Sequence, residues 1–386
     1  MIYLDNSATT PMDIEASKVY QEYACKNFFN PSAIYDKASD VSKEIESAKE
    51  TIAKALGTTF NDNIIFTGSA TEANNMAIKG SYRKNFGKFL FSIGEHPSVY
   101  NVALELKKQG INVEFINLQD NGEIDYNDLE NKLDDTVSFI SVMLCSNETG
   151  AINDLKRICE LKNKYCPKAI FHSDGVQAFG KIKINVDYFG VDLFTISAHK
   201  TFGPKGVGAL YVRNKNILNP IIFGGGQEYN LRSGTENVAG IMAFKKAIEN
   251  LGNIKENYSH TKECFDAFLK QLNLTNVKVN SSGNPYVLSL SFLGVNGETL
   301  VHLMEQQDIY ISRGSACSAK KAGNRVLENI GLSPEYVLGS VRVSFSKNTT
   351  LTEAEIAGKA LNNCYISLKE KLKWEKLFYF ALAKFI

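Results

Sequence analysis

The sequence predicts an α/β fold with two parts: a large domain on a mainly parallel sheet and a smaller α+β domain. Three observations carry this. At 386 residues the chain exceeds what one hydrophobic core usually serves. Up to about Val212, short apolar runs alternate with segments of helical length, the pattern of βαβ crossovers. Near Leu251 to Tyr258 the chain turns polar and a different rhythm follows. We therefore expect a large domain over residues 15–255 and a small one formed by 1–14 and 256–386.

The first expected helix runs from Asp36 to Leu56, where Val41, Ile45, Ala48, Ile52 and Leu56 recur at three- and four-residue intervals and Gly57 ends the pattern. Strands follow at Ile64–Thr67, Phe89–Ile93, Val113–Asn117, Val137–Leu144, Ala169–His172, Leu193–Ser197 and Val207–Val212. Segments of helical length, such as Asn153–Tyr165, separate the first five, so the sheet should be covered on both faces. Ligands of such sheets bind at the carboxyl ends of the strands. The second domain reads as a strand at Tyr286–Phe292, a helix around Glu298–Gln307, a strand at Val341–Phe345 and a helix from Thr352. The tail LFYFALAKFI, residues 377–386, is shorter than the roughly 20 residues a bilayer span needs. It should form an apolar helix face packed on the small domain.

Composition excludes several function classes. Apolar residues make up 44% and charged ones 22%, which argues against a disordered chain. Lys plus Arg number 43 against 42 Asp plus Glu, so no overall field drives direct DNA binding or attachment to an anionic membrane. The start, Met1-Ile2-Tyr3-Leu4-Asp5, lacks the features of a secretory signal, and a cytoplasmic protein is expected. Seven cysteines form neither a CxxC pair nor a cluster with zinc-ligand spacing, so no metal is expected. Apart from Cys317, they read as buried small hydrophobes.

The strand ends hold the chemistry. Lys200 falls in a glycine-rich loop directly after Leu193–Ser197, and Asp174 and Gln177 follow the strand ending at His172. An amine, an acid and an amide on one rim match the needs of pyridoxal 5′-phosphate: a lysine for the covalent link, a carboxylate for the pyridine nitrogen, and donors for the phosphate. Ser69, Ala70 and Thr71 open a helix after Ile64–Thr67, where free N–H groups favour a phosphate. Thr71 serves equally well as a plain helix N-cap. His96, after the strand Phe89–Ile93, could stack on a flat ring and move protons, and His199 could donate to the phosphate. His172 reads as core; His260 and His302 have no partner in the sequence.

Ordered motifs then point further: YLDNSATTP, NPSA, FTGSATEANN, EHPSV, SNETGAI, FHSDGVQAFGK, SAHKTFGPKGVGALYVR, GGGQEYNLRSGTENV, SRGSACSA and SVRVSF. Over roughly residues 1–360 the chain resembles the cysteine desulfurases of the class V aminotransferase group. The resemblance implies a homodimer of the fold-type-I, aspartate aminotransferase-like architecture with composite sites. It implies Lys200 as the cofactor-linked lysine, Asp174 at the pyridine nitrogen, Gln177 at the phenolic oxygen and His96 in ring stacking and proton transfer. Ala70, Thr71, Ser197 and His199 would complete the cofactor site, with Thr235 entering from the neighbouring subunit. Asn147 and Arg342 would hold the carboxylate of L-cysteine. Cys317, in a run of small and basic residues from Arg313 to Lys321, would take the sulfur as a persulfide while L-alanine leaves.

The sulfur acceptor implied is a protein, either a tRNA sulfurtransferase or an iron-sulfur scaffold. The DGVQAFGK and GSACSAKK segments resemble desulfurases of the tRNA-thiolating kind. A selenocysteine lyase on the same scaffold is the alternative, with a plain aminotransferase and an inactive scaffold behind it. Three departures stand out: Gly68-Ser69 where Ser-Gly is commoner, Gly175 in place of Ala, and Arg313 in place of a small residue.

Overall fold

The computed structural model describes residues 1–82, 87–314 and 324–382, without the side chains of Asp62 and of 374–382. A short strand β1 (Ile2–Tyr3) precedes helices α1 (Ile14–Cys25) and α2 (Asp36–Ala55). The sequence reading passed over α1. Asp13 caps it by accepting from the N–H groups of Glu15 and Ala16, and its one buried residue is Ala16, packed on Ala243 and Ala247. An alanine contact leaves no aliphatic stripe to read.

Seven strands form the large sheet: β2 (Ile64–Thr67), β3 (Lys88–Ser92), β4 (Val113–Ile116), β5 (Val137–Ser141), β6 (Ile170–Asp174), β7 (Leu193–Ser197) and β8 (Gly208–Val212). Their order is β2-β8-β7-β6-β5-β3-β4. The crossovers after β2 to β5 carry α3 (Ala70–Ser81), α4 (Pro97–Lys108), α5 (Tyr126–Lys132) and α6 (Leu155–Tyr165); α7 (Val186–Phe189) adds one turn before β7. Pairing is parallel except where β8 lies antiparallel to both β2 and β7. Between Ser197 and Gly208 there is too little chain for a helical crossover, so β8 turns back, and the other six strands share one direction.

Residues alternate between two cores along each strand. Ile64, Phe66, Ile140, Phe194 and Ile196 face α2, α6 and a further helix, α8 (Val238–Glu249). Ile65, Phe89, Phe139 and Leu193 face α3 and α4. Each such side chain contributes about 1.5–3 kcal/mol on burial.

The remaining elements are α9 (Ile254–Leu269), β9 (Val277–Val279), β10 (Val287–Phe292), α10 (Gly297–Glu305), β11 (Ile309–Tyr310), α11 (Arg325–Asn329), α12 (Pro334–Leu338), β12 (Ser340–Ser344) and α13 (Leu351–Leu382). β12, β10 and β9 pair antiparallel, and Leu4, Phe268, Leu290, Val343 and Leu361 share a core of their own. The polar stretch read as a boundary holds the first turn of α9, capped by Asn253. β1 pairs in parallel with β11, so residues 5–10 cross from this sheet to the rim of the large one. Five of the six described cysteines are buried, as expected, but Cys25 is exposed at the end of α1. Among the described residues no helix is long and apolar enough to cross a membrane.

Candidate active site

Because six strands run the same way, β2, β3, β5, β6 and β7 deliver their carboxyl ends to one rim. A cavity of about 250 Å³ opens there, and Arg342 of β12 reaches it from the small sheet. Of the residues singled out from the sequence, Ala70, Thr71, His96, Asn147, Asp174, Gln177, Ser197, His199, Lys200 and Arg342 all line it. Thr235 does not: it is exposed and lines a separate hollow with Gly68 and Glu236. Cys317 lies outside the described residues.

After β2 the chain enters α3 through a reciprocal cap. Ser69 Oγ accepts from Glu72 N at 3.1 Å, and Glu72 Oε2 accepts from Gly68 N at 2.9 Å. The N-cap is thus Ser69, and Thr71 lies inside the first turn, which corrects the plain-cap alternative for Thr71. The Gly68-Ser69 order places a hydroxyl at the cap. Arg232 Nε donates to Glu72 Oε1 at 2.8 Å and ties this turn to a distant segment. The N–H groups opening α3 face the cavity as an anion site.

Asp174 ends β6. Its Oδ1 accepts from Val176 N at 2.9 Å and its Oδ2 from Asn74 Nδ2 at 2.8 Å. Asn74, a fully buried residue of α3, gives its other N–H to Ser98 Oγ at 2.8 Å, and that oxygen lies 2.8 Å from His96 Nδ1. Ser98 N also donates to His96 Nδ1 at 3.2 Å. Nδ1 is therefore the acceptor, and the ring proton of neutral His96 sits on Nε2. Burial lowers the His96 pKa, partly opposed by Asp174. Beside it, burial and then Asp174 push the Glu95 carboxyl up to about 8. At neutral pH Glu95 is therefore mainly a neutral acid.

Gly175 departs from the commoner Ala for a steric reason. A Cβ there would lie 2.0 Å from Phe194 Cζ, so the ring of Phe194 occupies the space of the missing methyl.

Lys200 Nζ donates to the carbonyls of Ser7 and Ala8 at 2.6 and 2.5 Å. Burial, reinforced by Lys181 and Arg342, brings its pKa down to about 7. His199 Nδ1 is 3.1 Å from Thr9 Oγ1, and burial brings its pKa down to about 4. Arg342 donates to Asn147 O at 2.9 Å and to Asp5 Oδ1 at 3.1 Å, while its buried Nε has no partner among the described residues. Cys145 also lines the cavity, but burial pushes its thiol up to about 11, which makes it a poor nucleophile. His172 is buried between Ser141 and Thr195, as its strand position suggested.

Sequence reasoning missed Asn74, Ser98, Lys181 and the carbonyls of Ser7 and Ala8. Asn74 left one signal, an amide among the apolar positions Ala73, Met76 and Ala77. The carbonyls left none, since any residue could supply them.

Residues 2–356 match the family described as aminotransferase class-V, and the chain belongs to it. That family and fold imply a pyridoxal-phosphate cofactor. The cysteine desulfurase IscS of Dictyoglomus turgidum is 37% identical over 359 residues, 90% of each chain. That of Rickettsia rickettsii is 36% identical over 372 residues, 92% of this chain and 89% of the relative. A solved NifS-like protein from Rickettsia africae superposes with a TM-score of 0.84 at 32% identity, covering 95% of this chain and 99% of that one. A structure of SspA in complex with cysteine gives 0.81 at 30% identity, covering 90% and 99%. Within the family, this chain is one of the cysteine desulfurases.

Proposed function

We propose that the rim cavity desulfurates L-cysteine to L-alanine and loads the sulfur onto Cys317 as a persulfide. The observation carrying this is the cavity's lining: a partly neutral Lys200, the Asp174 carboxyl group and Arg342 share it, and among the described residues the buried Nε of Arg342 has no partner.

The residues suit pyridoxal phosphate. Asp174, held by two donors, would face the pyridine nitrogen, and the opening N–H groups of α3 with Ser197 and His199 would hold the phosphate. Among the described residues Gln177 has one N–H free, which would meet the phenolic oxygen, and His96 would cover the ring. When bound, the cofactor supplies an electron sink for the pair released at the substrate α-carbon. Arg342 would take the substrate carboxylate in its guanidinium fork, oriented by Asn147 O. Lys200 is poised near neutral pH to take up the α-proton at Nζ. His96 carries a proton on Nε2 that it could return to the product carbon. The Cys317 thiolate forms a bond to the substrate sulfur as the carbon-sulfur bond breaks. That bond's electron pair stays on carbon, which takes a proton to become the methyl group of alanine.

We further place the active form as a cytoplasmic homodimer in which Thr235 of one chain completes the phosphate site of the other. This agrees with its position outside the cavity of its own chain. The working division of the chain is 15–255 against 1–14 and 256–386. The sulfur passes to an acceptor protein, for tRNA thiolation or iron-sulfur assembly, and the DGVQAFGK and GSACSAKK segments favour the former.

The test is alanine release from L-cysteine together with intact-protein mass spectrometry. Wild type should release alanine and gain one sulfur atom, and Cys317→Ala should lose both. Alanine from selenocysteine alone, with no adduct, would overturn the proposal in favour of a selenocysteine lyase.

A further inference from the structure

Lys181 is buried seven residues beyond Asp174 and is not a cavity-bound ligand in any role described above. Gly180, at φ 73°, turns the chain back beneath Gln177, and a Cβ at that glycine would lie 2.8 Å from Thr201 Cγ2. The turn brings Lys181 Nζ to 2.8 Å from Gln177 Oε1. Gln177 Nε2 donates to Ser7 O at 3.0 Å, and among the described residues its second N–H has no acceptor.

This fixes the amide's orientation twice over. A flipped Gln177 would set its carbonyl against the Ser7 carbonyl and its NH₂ against the ammonium, two repulsive contacts in place of two bonds. Among the described residues no carboxylate lies within ion-pair reach of Lys181. Burial brings its pKa down to about 8, so it stays mainly an ammonium at neutral pH; among the described residues the Cys145 thiol opposes this shift and the Arg342 guanidinium adds to it. The Tyr286 ring, 5.9 Å away, offers partial compensation. A buried ammonium without a counter-charge is costly unless its partner arrives from outside.

We propose that Lys181 is a positioning residue that locks the Gln177 carboxamide with an N–H toward the cavity and lends positive charge to the cofactor's phenolic oxygen from one layer behind. This rests on the reading of Gln177 as that oxygen's partner. The missing counter-charge is then the anionic cofactor itself.

The experiment titrates the visible absorption band of the lysine-linked cofactor against pH in substrate-free, cofactor-loaded enzyme. Gln177→Leu, Lys181→Met, Lys181→Gln and the Gln177→Leu/Lys181→Met pair are compared with wild type, each checked for cofactor stoichiometry and circular dichroism. Loss of a neighbouring cation favours the protonated form, so Lys181→Met should raise the midpoint by on the order of one pH unit. Lys181→Gln retains an N–H donor without the charge and should raise it less; it also serves if Lys181→Met fails to fold. In the Gln177→Leu background the Lys181→Met shift should shrink, because its route through the amide is gone. A midpoint moved by Gln177→Leu but by neither Lys181 variant overturns the inference alone. A midpoint moved by none of them overturns the reading of Gln177 and the inference with it.

Discussion

Replacing Asn74 by Leu keeps the branched heavy-atom framework while deleting both N–H groups. In the native site those groups hold Asp174 Oδ2 and Ser98 Oγ, each at 2.8 Å. After the change Asp174 retains the Val176 N–H at Oδ1, and Oδ2 is left buried without that donor. A hydrogen bond to a charged group is worth about 1.5–3 kcal/mol, so losing this donor should destabilise the carboxylate form by about that amount. If that carboxylate supports catalysis in its ionised form, kcat/KM should fall about 10- to 100-fold. The acidic limb of the pH profile should also move upward. The assay is alanine formation from pH 5 to 9 on variant protein of normal cofactor content. Ser98→Ala is the control, since it removes the hydroxyl shared by Asn74 and His96 while leaving the Asp174 bond intact, and should spare the acidic limb. An Asn74→Leu enzyme with kcat/KM within a factor of about two of wild type and an unmoved profile would refute the reasoning.

Other outcomes follow from the same geometry. Gly175→Ala sets a methyl 2.0 Å from Phe194 Cζ and should destabilise the fold by about 1–3 kcal/mol in urea unfolding, with partial rescue by Phe194→Leu. Arg342→Lys keeps the charge but loses the fork, so KM for cysteine should rise at least about tenfold while kcat changes less. Lys200 is depressed from 10.5 to about 7 in the fold. The unfolded chain therefore binds the extra proton between those values, and the full penalty applies below pH 7. Cofactor-free protein should gain stability as pH rises through that window, by up to about 5 kcal/mol, and Lys200→Met should abolish the gain. Denaturant midpoints measured at several pH values for both proteins check this.

Most of the sheet was legible because its strands carry continuous apolar runs and its rim carries the chemical residues. Lys200, Asp174 and Gln177 stood out because they follow such runs directly. What stayed hidden depends on pairing across long distances. Nothing local marks β8 as the reversed strand except the shortness of the preceding loop. Asn74 acquires meaning only when α3 lies against Ser98 and Asp174, 24 and 100 residues away. The parking of Lys200 on Ser7 O and Ala8 O involves backbone groups 193 and 192 residues distant, which no side-chain pattern encodes. The Gly175 departure looked minor in the sequence and is decided in space by one phenyl ring.

Residues 5–10 have a consequence for how the molecule comes into being. Asn6 Nδ2 and Ser7 N bond to Ser344 across 338 and 337 positions of chain. The Ser7 and Ala8 carbonyls that park Lys200, and the Asp5 that meets Arg342, belong to the same stretch. During synthesis this stretch is made long before Ser344 and waits for it. A ribosome-bound chain that has completed the whole large sheet still lacks the anchor of its own rim. Loading with a reactive aldehyde should therefore be an event of the finished chain.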